Sequence, residues 1–334
     1  MQPYRHSQIL RKAYFFLALL FPFNFLSAQS ILENTQVRFF TDAGFEATRD
    51  STGKFFPEFQ AGGIEILITA QVTDKISLLA EPVLKSNGTV SLERAMIKYS
   101  FSHYINVSAG RLYTPIGLWN TTFFRFAKAL TPTIDAPQII ANFEEGGLAL
   151  NKDNGIMISG DDITKLRFGY RAMVGNGYNQ PNSRDKQYIV NIFLEPVDNL
   201  RFAASVSSTK TTGLFTPTKS TLDGIALAGM YMGGKEIELA YEYYVGHIHN
   251  SVYSSVGHVH YGYVGYKIKR FTPYVHYYRG YGMESGVFKN RTNATLGLRY
   301  NFTALSVLKF EAEFLEANDF AKVNQFKIQW AIGF

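Results

Sequence analysis

A chain of 334 residues without a cysteine has no disulfide framework, no thiolate metal site and no cysteine-borne lipid anchor. Its formal net charge is +6, but three of the 33 basic residues fall in the first 29 positions, so beyond them the basic residues exceed the 27 acidic ones by only three. That balance, with no basic cluster resembling a backbone-tracking groove, argues against a nucleic-acid partner.

In chain order, Arg5, Arg11 and Lys12 precede the apolar stretch AYFFLALLFPFNFL, and LSAQS comes after it. This is the layout of a secretory signal peptide over residues 1–29, leaving 30–334 as the mature chain. The apolar stretch is 14 residues long and contains Pro22 and Asn24, short of the roughly 20 residues of a spanning helix. No later run has the length and helical period to cross a bilayer. The chain reads as exported and rich in aromatics, with 21 Tyr and 28 Phe. A closed barrel is then the membrane structure that can satisfy every backbone group in lipid.

Period-two alternation dominates the mature chain. LRFGYRAMV (166–174), KEIELAYEYYV (235–245), NATLGLRYNF (293–302) and LKFEAEF (308–314) each set apolar residues on one face against charged or small ones on the other. Sixteen strands are expected, near 36–48, 57–73, 76–85, 89–101, 104–112, 147–159, 163–175, 187–196, 199–210, 221–232, 235–247, 254–268, 271–281, 291–303, 305–316 and 322–334. Short turns alternate with longer links along the chain, the rhythm of an outer-membrane barrel with short periplasmic turns and longer outer loops. A soluble sandwich would show the same local alternation. The turn rhythm and the density of interface-type aromatics favour the all-β transmembrane barrel.

The third outer link, 113–146, reads YTPIGLWNTTFFRFAKALTPTIDAPQIIANFEEG. A long link without alternation is usually functional or disordered, and its apolar residues require burial. Folded into the lumen it would narrow the channel, with Arg125, Lys128, Asp135, Glu144 and Glu145 as its charges. Packing over the rim or on a neighbouring subunit is the alternative.

The segment SAGRLYTPIGLWN (108–120) resembles one seen in outer-membrane porins related to the phosphate-selective porins, and the LSAQ end of the signal resembles exported proteins of Bacteroidetes-type bacteria. The resemblance implies a sixteen-strand barrel, a homotrimer and a third loop folded inward. Phosphate selectivity would need cations at the constriction, where this loop offers only Arg125 and Lys128 against three carboxylates.

If apolar parity marks lipid, the opposite parity lines the pore. Arg94, Lys98, Lys165, Arg167, Arg171 and Arg201, with Glu195, give one mainly basic wall. Glu236, Glu238, Glu242, Glu311 and Glu313, with Arg299 and Lys309, give a wall with an acidic stretch. The expectation is a water-filled channel for small polar solutes, mildly anion-preferring and free of cofactors.

Five of the seven histidines lie between 247 and 276. His258 and His260 share a strand face, and His276 on the next strand could complete a zinc or copper site; polar rim or lumen residues are the plainer alternative. No hydrolase elbow, zinc-protease helix or phosphate loop occurs, so an enzyme is not expected. A non-conducting barrel that anchors a secretion or adhesion complex and an outer-membrane hydrolase remain the competing functions. The final strand, FKIQWAIGF, resembles the aromatic-ended signal by which barrel-assembly machinery recognises its substrates, and its seam with the first strand would leave no open edge.

Overall fold

The structure is a computed structural model and describes residues 34–49, 53–123, 129–137, 148–178, 186–211, 219–282, 290–317 and 320–334. Residues 1–29, expected to be a signal peptide, and four of the loop charges, Arg125, Lys128, Glu144 and Glu145, lie outside the described residues.

Sixteen antiparallel strands form one closed barrel in sequence order. They are β1 (Thr35–Arg49), β2 (Phe55–Gln71), β3 (Ile76–Leu84), β4 (Val90–Ser100), β5 (Asn106–Tyr113), β6 (Lys152–Gly160), β7 (Gly169–Gly175) and β8 (Gln187–Val197). The second half comprises β9 (Leu200–Thr211), β10 (Ser220–Tyr231), β11 (Ile237–His249), β12 (Ser254–Tyr266), β13 (Phe271–Tyr281), β14 (Arg291–Thr303), β15 (Ser306–Ala317) and β16 (Phe320–Gly333). One helical turn, α1 (Trp119–Thr122), interrupts the third outer link.

Closure is made by β1 and β16, paired from Phe40 opposite Gly333 to Arg49 opposite Asn324. The seam ends in reciprocal bonds: Phe39 N–H donates to the Phe334 carbonyl at 2.8 Å, and Phe334 N–H donates to the Phe39 carbonyl at 3.0 Å. Their rings stack with centroids 5.4 Å apart. A closed sheet has no unpaired edge, so FKIQWAIGF pairs on both sides, with β15 and with β1.

The alternation in the sequence becomes two surfaces of opposite character. Ile64, Ile97, Ile156, Val190, Val206, Ile225, Leu227, Leu296 and Phe314 point outward and are exposed. Such an apolar belt around a barrel is a surface that lipid covers. Tyr266, Phe271, Phe302 and Trp330 ring its turn-side end, all exposed, in the place where aromatic girdles meet the headgroup region. On the opposite face, Glu238, Glu242, Arg299, Lys309, Glu311, Glu313 and Gln329 are buried inside the barrel.

Two strands begin later than their alternation predicts, β6 at Lys152 rather than near 147 and β7 at Gly169 rather than near 163. Residues 163–168 belong to the turn before β7 rather than to the strand. Asp162 and Arg167 adopt positive φ values of 54° and 49°, and Ile163 N–H bonds back to the Phe168 carbonyl. The apolar residues there alternate, but the backbone doubles back instead of extending. Lys165 and Arg167 are therefore turn residues, outside the barrel wall.

Candidate functional site

The third outer link leaves β5 at Thr114 and turns across the lumen. Thr114 N–H bonds the Asn151 carbonyl at 3.0 Å, and the Thr114 hydroxyl donates to Leu150 O. The Asn120 amide donates to Thr114 O at 2.6 Å and to Asn151 O at 2.9 Å, tying the outgoing and returning strands of the loop together. At Gly117, φ is +67°, and an added Cβ would collide with the carboxylate of Glu242. Glycine is thus required twice, by conformation and by space.

Beyond that turn the loop docks on the far wall. Gly117 N–H donates to Ser205 Oγ on β9 at 3.1 Å. Glu242 on β11 accepts from Leu118 N–H at 2.7 Å and from Trp119 N–H. These are amides at the N-terminal end of α1, which have no intrahelical partner and favour a carboxylate. Trp119 packs edge-on against Tyr261 of β12 at 5.4 Å and against Phe123 at 4.7 Å.

The second described stretch, 129–137, lies against β13 to β16. Lys309 donates to Thr131 Oγ1 and to Thr133 O, both at 2.9 Å. Glu311 accepts from Ile134 N–H at 2.9 Å and from the Tyr274 hydroxyl at 2.7 Å. Asp135 takes the ammonium of Lys327 at 2.7 Å, which also reaches Glu313 at 2.9 Å. The described parts of the loop thus lie inside the barrel, bonded to inward side chains of its wall.

The acidic stretch read from the sequence is consequently engaged. Glu242 and Glu311 hold loop amides, Glu313 pairs with Lys327, and Glu238 faces Arg299 at 2.8 and 2.9 Å, Lys267 at 3.1 Å and the Tyr263 hydroxyl at 2.8 Å. Arg299→Leu is expected to leave Glu238 undercompensated in a buried site, at a cost of about 3 kcal/mol or more. The midpoint of thermal unfolding in detergent should fall accordingly, and an unchanged midpoint would show that Lys267 alone suffices.

The basic wall is less uniform than expected. Arg94 points inward but is paired with Glu81 and lies over the Tyr113 ring at 4.8 Å. Lys152 pairs with Glu93. Sequence reading missed Glu81, and it missed Glu93 because that residue is the extra one of a bulge on β4, where Glu81 faces Arg94 and Pro82 faces Leu92, which shifts the parity on which lumen residues are counted. Lys98 lies on the inward parity of β4 opposite Ser108 and forms no ion pair among the described residues. Arg171 and Arg201 stand over the Phe193 ring at 4.6 and 5.2 Å. Arg201 also bonds Glu195 at 2.9 Å, while Asp161 is 3.7 Å from Arg171. Arg167, on its turn, bonds Glu195 at 3.2 Å and Asp198; the Asp198 contact holds its pKa above the ordinary value.

The histidine triad does not assemble. His276 pairs across strands with Tyr263 on the inner face, 3.9 Å from Glu311. His258 and His260, of opposite parity to Tyr263, face outward, within 2.8 Å of the Tyr243 and Tyr241 hydroxyls. The barrel wall separates the two sets, and no metal-binding group of three or more such residues occurs among the described residues.

No protein-family model matches this chain, and no curated protein is similar to it in sequence. Solved structures match in fold. An anion-selective porin from Comamonas acidovorans superposes with a TM-score of 0.70 at 11% identity, over 90% of this chain and 99% of that one. Pseudomonas putida OprB gives 0.65 at 9% identity, over 92% and 96%. Salmonella typhi OmpF, solved in complex with daunomycin, gives 0.64 at 14% identity, over 91% and 99%. The architecture is that of the bacterial porin barrel.

Proposed function

We propose that this chain is a porin of a bacterial outer membrane, a water-filled channel through which small polar solutes diffuse passively. The observation that carries the reading is the third loop, bonded along the inner wall of a closed barrel whose outer face is apolar. A sixteen-strand barrel is wide enough to leave an aqueous channel, and the described parts of the loop narrow it, packing Ile116, Leu118 and Trp119 against inward Tyr244, Val259 and Tyr261. The similarity to porin folds, with Vibrio cholerae OmpT solved in a trimer form among them, supports an oligomeric porin, and a homotrimer is our proposal for this one. The resemblance to phosphate-selective porins is carried only as far as a general anion preference.

That preference rests on an excess of cations on one wall. The carboxylates of β11 and β15 are held by the loop and by Lys327, Lys267 and Arg299, whereas on the other wall Lys98 forms no ion pair among the described residues, Asp161 lies 3.7 Å from Arg171, and Glu195 is shared between Arg201 and Arg167. Purified protein in a planar bilayer is expected to give steady, ohmic steps. A salt gradient should yield a modest anion-selective reversal potential, modest because facing charges are screened over about 8 Å at physiological salt. Replacing both Arg171 and Arg201 with Glu should move that potential toward cation preference. Absence of conductance from folded barrels would sink the channel reading and favour a non-conducting anchor or an outer-membrane hydrolase.

A further inference from the structure

The outward face of β11 to β13 breaks the apolar rule of the belt. Moving from turn side to loop side, exposed Leu239, Val264 and Val275 give way to Tyr241, Tyr243, His260, His258, Arg279 and Tyr281. These form one interlocked lattice. His258 Nδ1 lies 2.8 Å from the Tyr243 hydroxyl and His260 Nδ1 2.8 Å from that of Tyr241. Tyr281 stacks on His258 at 5.1 Å and on His260 at 5.9 Å, and the Arg279 guanidinium lies 5.1 Å from the Tyr281 ring. Nearer the loops, Asp223 is matched by His249 at 2.9 Å, so that carboxylate does not offset Arg279.

Directly on the turn side of this lattice runs an outward groove of about 790 Å³, lined by Phe202, Leu239, Val264, Val275 and Leu296 among others, with Gly229 and Gly262 in its lining. At Gly262 an added Cβ would meet only one atom, Tyr241 Cδ2 at 4.0 Å, so this part of the groove is open to its surroundings. Arg279 is eight residues along β13 from Phe271. At about 2.5 Å of height per residue of tilted strand, it sits roughly 20 Å from the turn-side aromatics. That places it just inside the loop-side boundary of a belt about 25 Å tall, within reach of a headgroup by snorkelling.

We propose that this face binds a lipid of the loop-side leaflet whose phosphate headgroup carries net negative charge. Its acyl chain lies in the groove over Gly262, and its phosphate meets Arg279, His258 and His260. The inference rests on the outer-membrane reading, because only a bilayer presents chain and headgroup at these two levels. The charge complementarity is specific. The Arg279 guanidinium recognises a phosphate by charge-assisted bonds, the histidines and tyrosines add neutral ring N–H and hydroxyl groups at the boundary, and the groove is mainly apolar.

Native mass spectrometry of the detergent-purified full chain tests the assignment, with folding verified by heat-modifiable gel mobility and channel conductance recorded on the same preparation. Wild type should retain dioleoyl phosphatidic acid about tenfold more than dioleoyl phosphatidylcholine, the increment of one strong charge-assisted contact. The combined substitutions Arg279→Gln, His258→Gln and His260→Gln should abolish that preference, and Gly262→Leu should lower retention of both lipids by filling the groove. Equal retention of the two lipids by wild type overturns the proposal, as does preference surviving the triple substitution. Inorganic phosphate that displaces the lipid equally well in wild type and Gly262→Leu would identify a free-anion site and also overturn it. A second copy seated here would give disulfide-linked dimers of Val264→Cys, unambiguous in a chain with no cysteine, with no lipid preference, and that result overturns it too. Conductance unchanged across the variants leaves the porin reading standing whichever way the lipid result falls.

Discussion

Glu242→Ala is expected to loosen the constriction loop: single-channel conductance should rise and the open current become noisy. The Glu242 side chain is 2% exposed and accepts from the Leu118 and Trp119 amides at the start of α1. Removing it strands two N–H groups in a buried site, each worth about 1–3 kcal/mol when unsatisfied. The remaining anchor of that segment on β9 is the single bond from Gly117 to Ser205. Glu242→Gln keeps an acceptor oxygen but not the charge, so its channel should lie between the two. Planar-bilayer recordings decide: if Glu242→Ala conducts with the size and steadiness of wild type, the loop is held in place by something other than this carboxylate.

Deleting Phe334 should cut assembly of the barrel sharply. The residue supplies both backbone bonds that finish the β1–β16 seam and a ring stacked on Phe39. Two net hydrogen bonds of about 1 kcal/mol each and an aromatic pair of about 1 kcal/mol together approach 3 kcal/mol. That loss falls on the pair of strands whose closure removes the sheet's open edges. Phe334→Leu retains the backbone bonds and should assemble at an intermediate level. Heat-modifiable protein in the outer-membrane fraction reports the outcome, and full recovery of the truncated chain would show that the seam closes without its last rung.

Much of the barrel was legible because period-two alternation is both the local signature of a strand and the global requirement of a wall with lipid on one side and water on the other. The sixteen expected strands correspond in order to the sixteen observed. Alternation failed where it ran through a turn, at LRF before β7, since apolar periodicity does not report a positive φ such as that of Arg167. It also failed to set cross-strand parity. His258, His260 and His276 look clustered in sequence, yet only the register that sets His276 opposite Tyr263 reveals that the wall divides them.

The inward glutamates were legible as lumen residues, but their role was not. Nothing in the neighbourhood of Glu242 announces that its partners lie more than a hundred residues earlier, at Leu118 and Trp119. A contact of that kind is fixed by where a loop lands, and the sequence of the wall carries no periodic trace of it. The bulge that buries Glu93 beside Arg94 is similarly silent, since one extra residue leaves the local pattern intact while changing which side chains share a face.

The engagement of the lumen carboxylates with loop amides ties two properties of the pore that could have varied independently. A solute crossing the lumen meets loop backbone where the wall charges would have been, so a substitution at Glu242 or Glu311 changes the bore and the fixed charge in one step. Tuning of selectivity without a change of width is left to the opposite wall, at Lys98, Arg171 and Arg201. Divergence among descendants of this barrel should therefore be permissive on that side and constrained on the other.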